Sequence, residues 1–327
     1  MAKRKLRVGL IGCGGNMRHA HVPRLREDGR VEIAAVVDTN RAAADALVEA
    51  WGQPATYYEN YKRMLGREAL DAVLISSPHA MHYPQARDAL SKNLHVLVEK
   101  PLTTSSRHAK ALIELARKKR RILMVSYQRH FFSQYAYARK LVQQGAIGRL
   151  RGVAVYVTQD WCKAKGWRLV PELSGGGMFM DTGSHLVAVT LWLSGLRPRQ
   201  VSAFVDNGRL KVDTNVVVNV EFEGGVLGSL STFGDTAGHD ETVAIHGSKG
   251  CMVFHIHQWQ MKAALLNGEP MNVPASIKED SPDAAFCRMI RNRGKGYEVP
   301  DFALQVSRMS EAVYKSAEQK RPVKVAR

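Results

Sequence analysis

The stretch that decides the fold is Leu6–Met17, which reads LRVGLIGCGGNM. Leu6–Ile11 is a short apolar run of the kind that forms a buried strand, and a glycine-rich turn follows it directly. Gly12 permits the tight turn, and Gly14 lets backbone amides approach a pyrophosphate at the start of a helix. The order strand, turn, helix predicts a dinucleotide-binding unit, although Met17 stands where the fingerprint has glycine or alanine.

Short apolar runs alternate with helical segments up to about residue 126. The predicted strands are Leu6–Ile11, Val31–Val37, Ala72–Ser76, His95–Val98 and Ile122–Val125, and the predicted helices are Met17–Arg26, Arg41–Trp51, Tyr83–Lys92 and Ser105–Lys119. Strands rich in Val, Ile and Leu, with little polar alternation, are typical of a parallel sheet covered on both faces. Residues 1–126 are therefore predicted to form a doubly wound α/β domain that binds NAD(P).

Residues 127–327 show consecutive strands with few helices between them. The predicted strands are Val153–Thr158, Val201–Val205, Val216–Phe222, Val226–Thr232, Thr242–His246 and Cys251–Phe254, and the predicted helices are Met180–Leu193, Ala284–Arg293 and Phe302–Ser316. Glu223-Gly224-Gly225 reads as a hairpin turn between two of these strands. This pattern predicts an α+β domain, with a largely antiparallel sheet, that binds the substrate.

Length and composition limit the class of protein. The 327 residues suffice for two domains, and 45% hydrophobic with 24% charged residues is ordinary for a soluble protein. No apolar run approaches the roughly 20 residues that span a bilayer. The basic start Ala2–Lys5 followed by Leu10–Cys13 resembles a lipoprotein signal, but Arg7 interrupts an apolar stretch shorter than the ~7–15 residues of a signal core. A first strand explains these residues better.

Cysteines and charge give expectations about location and partners. The four cysteines, Cys13, Cys162, Cys251 and Cys287, have no zinc-type spacing, which predicts reduced thiols in a cytoplasmic protein and no metal site. The formal net charge of +17 is compatible with an anionic substrate or with nucleic acid. The longest basic cluster, Arg117–Arg121, ends a predicted helix, where cations complement the helix dipole. We therefore expect no nucleic-acid partner and no membrane partner.

An acidic residue ends the second predicted strand. Asp38 lies 26 residues beyond Gly12, where a carboxylate hydrogen-bonds the adenosine ribose and repels a 2′-phosphate. This favours NAD over NADP, a preference that Arg41 would soften. The alternative is that Asp38 is the N-cap of the following helix.

A lysine and an Asp/His pair supply candidate catalytic groups. Lys100 follows the strand His95–Val98, at the carboxyl end where ligands bind in parallel sheets, with Glu99 to orient it and Pro101 to stiffen its backbone. A lysine there can donate to a substrate hydroxyl and favour a developing alkoxide. Asp181 and His185 are four residues apart on a predicted helix. An imidazole titrates near pH ~6.5 and can accept an alcohol proton at neutral pH.

These motifs together resemble one oxidoreductase family. The glycine-rich turn, Glu99-Lys100-Pro101, Gly175–Gly177 and Asp181-x-Gly183-x-His185 are similar to the glucose–fructose oxidoreductase/inositol dehydrogenase (Gfo/Idh/MocA) family over nearly the whole chain. The resemblance implies a Rossmann domain, then a domain with an open, mostly antiparallel sheet and a late helix that packs back on the first domain. It further implies NAD(P)-dependent hydride transfer to or from a sugar or polyol carbinol, by a homodimer or homotetramer. A cis Lys100–Pro101 bond is often found in relatives.

The resemblance also distributes roles among residues of this chain. The catalytic residues are Lys100, Asp181 and His185. The cofactor-binding residues are Gly12, Gly14, Gly15, Asn16, Met17, Asp38, Thr39, Arg41, Ser76, Pro78, His79, His82, Glu99, Lys100 and Gln128. The substrate-binding residues are Lys100, Arg129, Trp161, Trp167, Arg168, Asp181 and His185, with the two tryptophans expected to stack on a sugar face. Ala188 departs from the family, whose members often carry an acid at that position.

Two other classes of function stay open at the level of sequence. Some relatives hold NAD tightly and use transient oxidation to cleave glycosides, without net NADH formation. A non-catalytic protein that senses the nucleotide is the other alternative, although the presence of Lys100, Asp181 and His185 together argues against it.

Overall fold

The structure is a computed structural model that describes residues 4–294 and 301–327. Ala2 and Lys3, part of the basic start, lie outside the described residues. The chain forms two compact units. The described parts of Met1–Thr103, Arg107–Ser126 and Asp280–Asp301 make up the first unit, and those of Thr104–Ser106, Tyr127–Glu279 and Phe302–Arg327 make up the second. A late segment of the chain thus belongs to the first unit.

The first unit contains a six-stranded parallel sheet in the order β3-β2-β1-β4-β5-β6. Its strands are β1 (Leu6–Ile11), β2 (Val31–Val37), β3 (Thr56–Tyr58), β4 (Ala72–Ile75), β5 (His95–Val98) and β6 (Leu123–Val125). Its helices are α1 (Val22–Asp28), α2 (Arg41–Trp51), α3 (Tyr61–Arg67), α4 (His79–Ser91), α5 (Ser106–Lys119) and α9 (Pro282–Arg291). A π-helical turn, Met17–His21, precedes α1. The doubly wound prediction is confirmed.

Three details of this unit differ from the prediction. The sequence did not indicate β3 and α3, because β3 consists of one threonine and two tyrosines and has no apolar run. Helix α4 begins at His79 and not at Tyr83, with Pro84 inside it. The helix predicted from Met17 starts with a π turn, which accommodates an extra residue and is frequent at functional sites.

The carboxyl edge of this sheet carries four of the predicted cofactor-binding residues. Gly12 follows β1, Asp38 follows β2, Ser76 follows β4 and Glu99 follows β5. The strand order reverses between β1 and β4, and ligands bind at such a switch point, outside the carboxyl ends of the strands.

The second unit contains a nine-stranded sheet in the order β14-β13-β12-β11-β7-β10-β9-β8-β15. Its strands are β7 (Leu150–Asp160), β8 (Pro198–Asp206), β9 (Asn215–Phe222), β10 (Leu227–Phe233), β11 (Asp235–Gly247), β12 (Cys251–His257), β13 (Gln260–Leu266), β14 (Glu269–Pro270) and β15 (Val323–Lys324). Its helices are α6 (Ser133–Gln143), α7 (Pro171–Ser174), α8 (Ser184–Ser194) and α10 (Asp301–Gln319). Among the described strands of this sheet, only the β7–β10 pair is parallel, which confirms the mostly antiparallel prediction.

The two faces of this sheet differ in burial. Val216, Val218 and Val220 are buried, whereas Val217 points to the other face. Register places Val217 beside Phe204 of β8, and Tyr156 of β7 continues the same row after one intervening residue of β10. Phe204, Val217 and Tyr156 are 73%, 36% and 43% exposed, and we call these three residues the exposed apolar row. No described helix combines the length and apolar character needed to cross a membrane.

Candidate active site

The glycine turn after β1 fits a dinucleotide. Gly12 has φ +87°, and a Cβ there would lie 2.6 Å from the carbonyl oxygen of Ser76, so only glycine is accommodated. A Cβ on Gly14 would meet no atom within 4 Å, so this side of the turn faces open space. Open backbone at the start of a helical segment is what a pyrophosphate requires. Met17 is fully buried and packs in the core.

The structure shows which residue caps the N-terminus of helix α2. The N-cap of α2 is Asn40, whose side chain accepts the N–H groups of Ala42 and Ala43. Asp38 accepts the N–H of Asn40 through Oδ1 at 2.8 Å and is not the cap. Thr39 is exposed beside it. The exposed Arg41 donates to Asp45 at 2.8 Å, and its guanidinium lies 4.5 Å from the centre of the Tyr57 ring.

A buried histidine connects the loops that follow β4 and β5. Nδ1 of His82 lies 2.8 Å from the carbonyl oxygen of Pro101, and Nε2 lies 3.0 Å from that of Ser77. Burial lowers the pKa of His82, against the effect of these two bonds. The imidazole, which was predicted to bind cofactor, is fully buried, and both of its nitrogens contact backbone oxygens. Pro78 and His79 lie in the segment that it fixes, and the His79 ring is also buried.

Glu99 lies at the end of β5, next to the candidate catalytic lysine. Its Oε1 is 3.0 Å from Nε2 of His21, and its Oε2 is 3.3 Å from the backbone nitrogen of Lys100. Burial acts to raise the pKa of Glu99, but the hydrogen bond and charge of His21, with the charge of Lys100, lower it to about 2. Glu99 is therefore a carboxylate at neutral pH. The Lys100–Pro101 bond is cis, as the resemblance implied.

In the second unit, Asp181 is oriented by two donors. Its Oδ2 accepts from Nε of Arg168 at 2.9 Å and from Nε1 of Trp161 at 3.3 Å. The Arg168 guanidinium also lies 4.5 Å from the centre of the Trp167 ring. Trp161 is only 3% exposed, and its predicted role as a stacking surface stays a prediction. Trp167 and Arg168 stay partly exposed.

The candidate base, His185, lies in the first turn of helix α8. His185 is buried apart from 8% of its surface, its Nδ1 is buried, and its ring meets that of Tyr127 edge-on at 6.1 Å. Asp181 lies in the π-helical turn Phe179–Gly183 that precedes α8. The α-helical spacing assumed from sequence therefore does not hold over these residues, since a π turn is wider. Ala188 is fully buried in the same helix.

The predicted substrate residue Arg129 has a different role in the structure. Nε of Arg129 lies 2.6 Å from Oε1 of Glu241, its Nη2 also contacts this carboxylate, and both residues are buried. Charge-assisted, bidentate pairs of this kind are strong. Arg129 is buried in this pair, and its predicted contact with substrate stays a prediction. Gln128, in the same short 3₁₀ turn, is partly buried.

The triple glycine packs closely against other protein atoms. A Cβ on Gly177 would lie 1.9 Å from the backbone oxygen of Asp213. The Asp213 carboxylate accepts the N–H groups of Gly177 at 2.6 Å and Phe179 at 2.7 Å, and the hydroxyl of Tyr314 at 2.7 Å. Burial raises the pKa of Asp213, against these bonds. Asp213 thus shapes the entry to the π turn, a role that no local sequence signal indicated.

Models of two domain families match most of the chain. Residues 6–127 match the oxidoreductase family with an NAD-binding Rossmann fold, and residues 135–253 match the GFO/IDH/MocA C-terminal domain. The chain belongs to the Gfo/Idh/MocA family. The resemblance found in the sequence is confirmed, and the chain is an oxidoreductase with an NAD(P)-binding Rossmann domain.

Named relatives of this Gfo/Idh/MocA protein act on sugars. The chain is 28% identical, over 90% of its length and 87% of the relative's, to a dTDP-3,4-didehydro-2,6-dideoxy-α-D-glucose 3-reductase of Streptomyces violaceoruber. It is 29% identical, over 60% of its length and 56% of the relative's, to the D-glucoside 3-dehydrogenase of Escherichia coli K12. The crystal structure of the WlbA dehydrogenase from Chromobacterium violaceum with NADH and UDP-GlcNAcA is similar with a TM-score of 0.85. That match has 26% identity and covers 100% of this chain and 97% of the other.

Proposed function

We propose that this protein is an NAD-dependent dehydrogenase or reductase that transfers a hydride between nicotinamide and a secondary carbinol of a sugar, polyol or sugar derivative. The observation that carries the proposal is the carboxyl edge of the parallel sheet. This edge presents the open glycine turn, Asp38 and the Glu99–Lys100 pair together. The named relatives support a carbohydrate substrate, and the net charge of +17 favours an anionic one, such as a uronate or a nucleotide sugar.

The proposed roles follow from the chemistry of the side chains. Bound nicotinamide supplies the hydride acceptor. His185 takes the hydroxyl proton at Nε2, since its Nδ1 is buried. Asp181, held by Arg168 and Trp161, orients the hydroxyl. The Lys100 ammonium stabilises negative charge that develops on the same oxygen.

Residues of the first unit also favour one cofactor. Asp38 ends β2 with a carboxylate that a ribose 2′-hydroxyl can approach and that repels a 2′-phosphate. Arg41 is the cation available to offset this preference, but it is paired with Asp45. We propose NAD as the working cofactor, a cytoplasmic location, and a homodimer or homotetramer formed through the exposed apolar row.

A substrate screen tests the proposed function. The purified protein is offered NAD or NADP with polyols, aldoses, uronates and nucleotide sugars, and NADH absorbance is followed. Net NADH formation with at least one of these classes is expected. Cleavage of a glycoside without net NADH would support the NAD-dependent glycoside-cleaving alternative. NAD binding without turnover of any class would support a nucleotide-sensing protein.

A further inference from the structure

One buried histidine of the first unit lies between two carboxylates. Nδ1 of His21 is 2.7 Å from Oδ1 of Asp283, and Nε2 is 3.0 Å from Oε1 of Glu99. All three side chains are buried. His21 ends the π turn before α1, Glu99 follows β5 and Asp283 begins α9. We call these three residues the His21 cluster.

With both carboxylates ionised, the geometry of the cluster requires an imidazolium. An ionised carboxylate only accepts hydrogen bonds, and a neutral imidazole donates from one nitrogen only. Both ring nitrogens of His21 face carboxylate oxygens, so both bonds form together only when both nitrogens carry protons. Burial acts to lower the pKa of His21, but the charges and bonds of Asp283 and Glu99 outweigh it and raise the pKa to about 10.

The other charged and polar groups around the cluster are few. Arg24 on α1 lies 3.4 Å from Oδ2 of Asp283, and the Asn16 amide lies 3.4 Å from Nε2 of His21. The charge of Glu99 acts to raise the pKa of His82, and the charge of Lys100 acts to lower the pKa of Glu99. With His21 and Arg24 positive and the two carboxylates negative, these four groups sum to zero. A buried arrangement of this kind is stable while every member keeps its charge, and removing one member leaves an uncompensated charge.

We propose that His21 is a positioning residue that, held by Asp283, fixes the Glu99 carboxylate and through it the backbone of Lys100. This proposal rests on the proposed function, because it assigns His21 a purpose in the reaction of Lys100. The link is the bond between Oε2 of Glu99 and the Lys100 backbone nitrogen. Through this bond, turnover depends on the charge of His21 and not only on the size of its side chain.

The pH profile of His21→Gln distinguishes positioning from mere packing. Glutamine can donate one hydrogen bond but carries no charge, so the pKa of the buried Glu99 should rise towards neutrality. We expect kcat/KM to fall about 10- to 100-fold near neutral pH and to show a further acidic limb, in addition to the one that His185 gives the wild type as the general base. In His21→Gln/Glu99→Gln, this further limb should disappear because the titrating carboxyl is gone. His246→Gln, at an exposed histidine of β11, is the control and should match the wild type.

A profile of His21→Gln that is parallel to that of the wild type, with only a lower melting temperature, would overturn the proposal. If His21→Gln does not fold, Asp283→Asn provides the second variant. It keeps the bond to Glu99 but should lower the pKa of His21 and add an alkaline limb to kcat/KM.

A measurement without catalysis separates this proposal from the proposed function. In the wild-type protein, ¹⁵N NMR of the histidine side chains should show His21 doubly protonated at about pH 8, where an ordinary histidine is neutral. The resonance is assigned by its loss in His21→Gln or by the shift in Asp283→Asn. A neutral His21 at that pH would refute the positioning role. Failure of every carbohydrate to react would refute the proposed function and leave the NMR result intact.

Discussion

Asp38 accepts the backbone N–H of Cys13 at 2.7 Å, so the end of β2 is joined directly to the glycine turn that follows β1. One oxygen of the carboxylate holds the turn, and the other accepts the N–H of Asn40. Carboxylate oxygens accept more than one hydrogen bond each, so Asp38 retains acceptor capacity for a ribose hydroxyl. Asp38 thus fixes the turn, and the proposed function also gives it the discrimination between the cofactors.

Replacing Asp38 should therefore weaken NAD binding and reduce the preference over NADP. A hydrogen bond to a charged group contributes about 1.5–3 kcal/mol, so Asp38→Ala should raise the Kd for NAD about 10- to 100-fold. Fluorescence titration with both cofactors measures this change. Asp45→Ala, which frees Arg41 without touching Asp38, is the matched control for the influence of Arg41. A wild type that already prefers NADP would show that Arg41 dominates.

Removing the ammonium of Lys100 should affect chemistry far more than cofactor binding. We expect Lys100→Ala to lower kcat by about 10³-fold, since loss of one preorganised oxyanion donor has effects of about 10²–10³. The Kd for NAD should change little. Lys92→Ala, at an exposed lysine after α4, should leave both constants unchanged. Near-normal turnover of Lys100→Ala would remove Lys100 from the mechanism.

The proposed base is tested with a side chain that bonds but cannot take the proton. His185→Gln should lower kcat about 10²- to 10⁴-fold, the range for loss of general base catalysis, with a smaller change in KM. Steady-state kinetics with the substrate found by screening gives both constants. Full activity in this variant would assign proton transfer to another group.

The exposed apolar row predicts self-association. Phe204 is 73% exposed and pairs in register with Val217, so a charge at this point would be buried in any interface that covers the row. Phe204→Lys should convert the proposed oligomer to a monomer, because an unpaired buried charge is strongly unfavourable. Light scattering after gel filtration measures the mass. Lys249→Glu, at an exposed turn, is the control, and a monomeric wild type at micromolar concentration would contradict the proposal.

Acid should destabilise the second unit through His130. The ring stacks on Trp192 at 4.5 Å, and burial lowers its pKa to about 3 despite a bond to the Ala188 carbonyl. Because an unfolded histidine titrates near pH ~6.5, the unfolded chain binds more protons between that pH and the folded pKa. Stability is therefore complete above pH ~6.5 and falls by up to ~1.4 kcal/mol per unit as pH drops through this window.

His130→Phe should remove this part of the acid sensitivity while keeping the stacking. Urea unfolding followed by tryptophan fluorescence at several pH values measures the slope. The difference in slope between variant and wild type gives the contribution of His130 alone, without that of other histidines whose pKa is lowered, such as His95. His246→Gln should keep the wild-type slope, and an unchanged slope in His130→Phe would refute the assignment.

The strands and helices with a strong apolar pattern could be predicted from the sequence. Strands β1, β2 and β5 and helix α2 were predicted with the bounds that the structure gives, because apolar runs mark these strands and because Asn40 and Gly52 bound the helix. The tyrosine-rich β3, the strand β13 and the short β14 and β15 were missed, because their formation depends on pairing with a neighbouring strand. The hairpin between β9 and β10 was found from Gly224 and Gly225.

The sequence by itself determined the family, the Rossmann domain and the catalytic candidates Lys100, Asp181 and His185, because glycines and reactive side chains at fixed spacings are local features. Only the tertiary structure decided which polar groups pair with one another inside the protein. Glu241 engages Arg129, Asp213 holds the triple glycine, and Asp283, 262 residues from His21, completes the His21 cluster. These partners are distant in the chain, and a buried charge must find its partner wherever folding brings one, so no local pattern could reveal them.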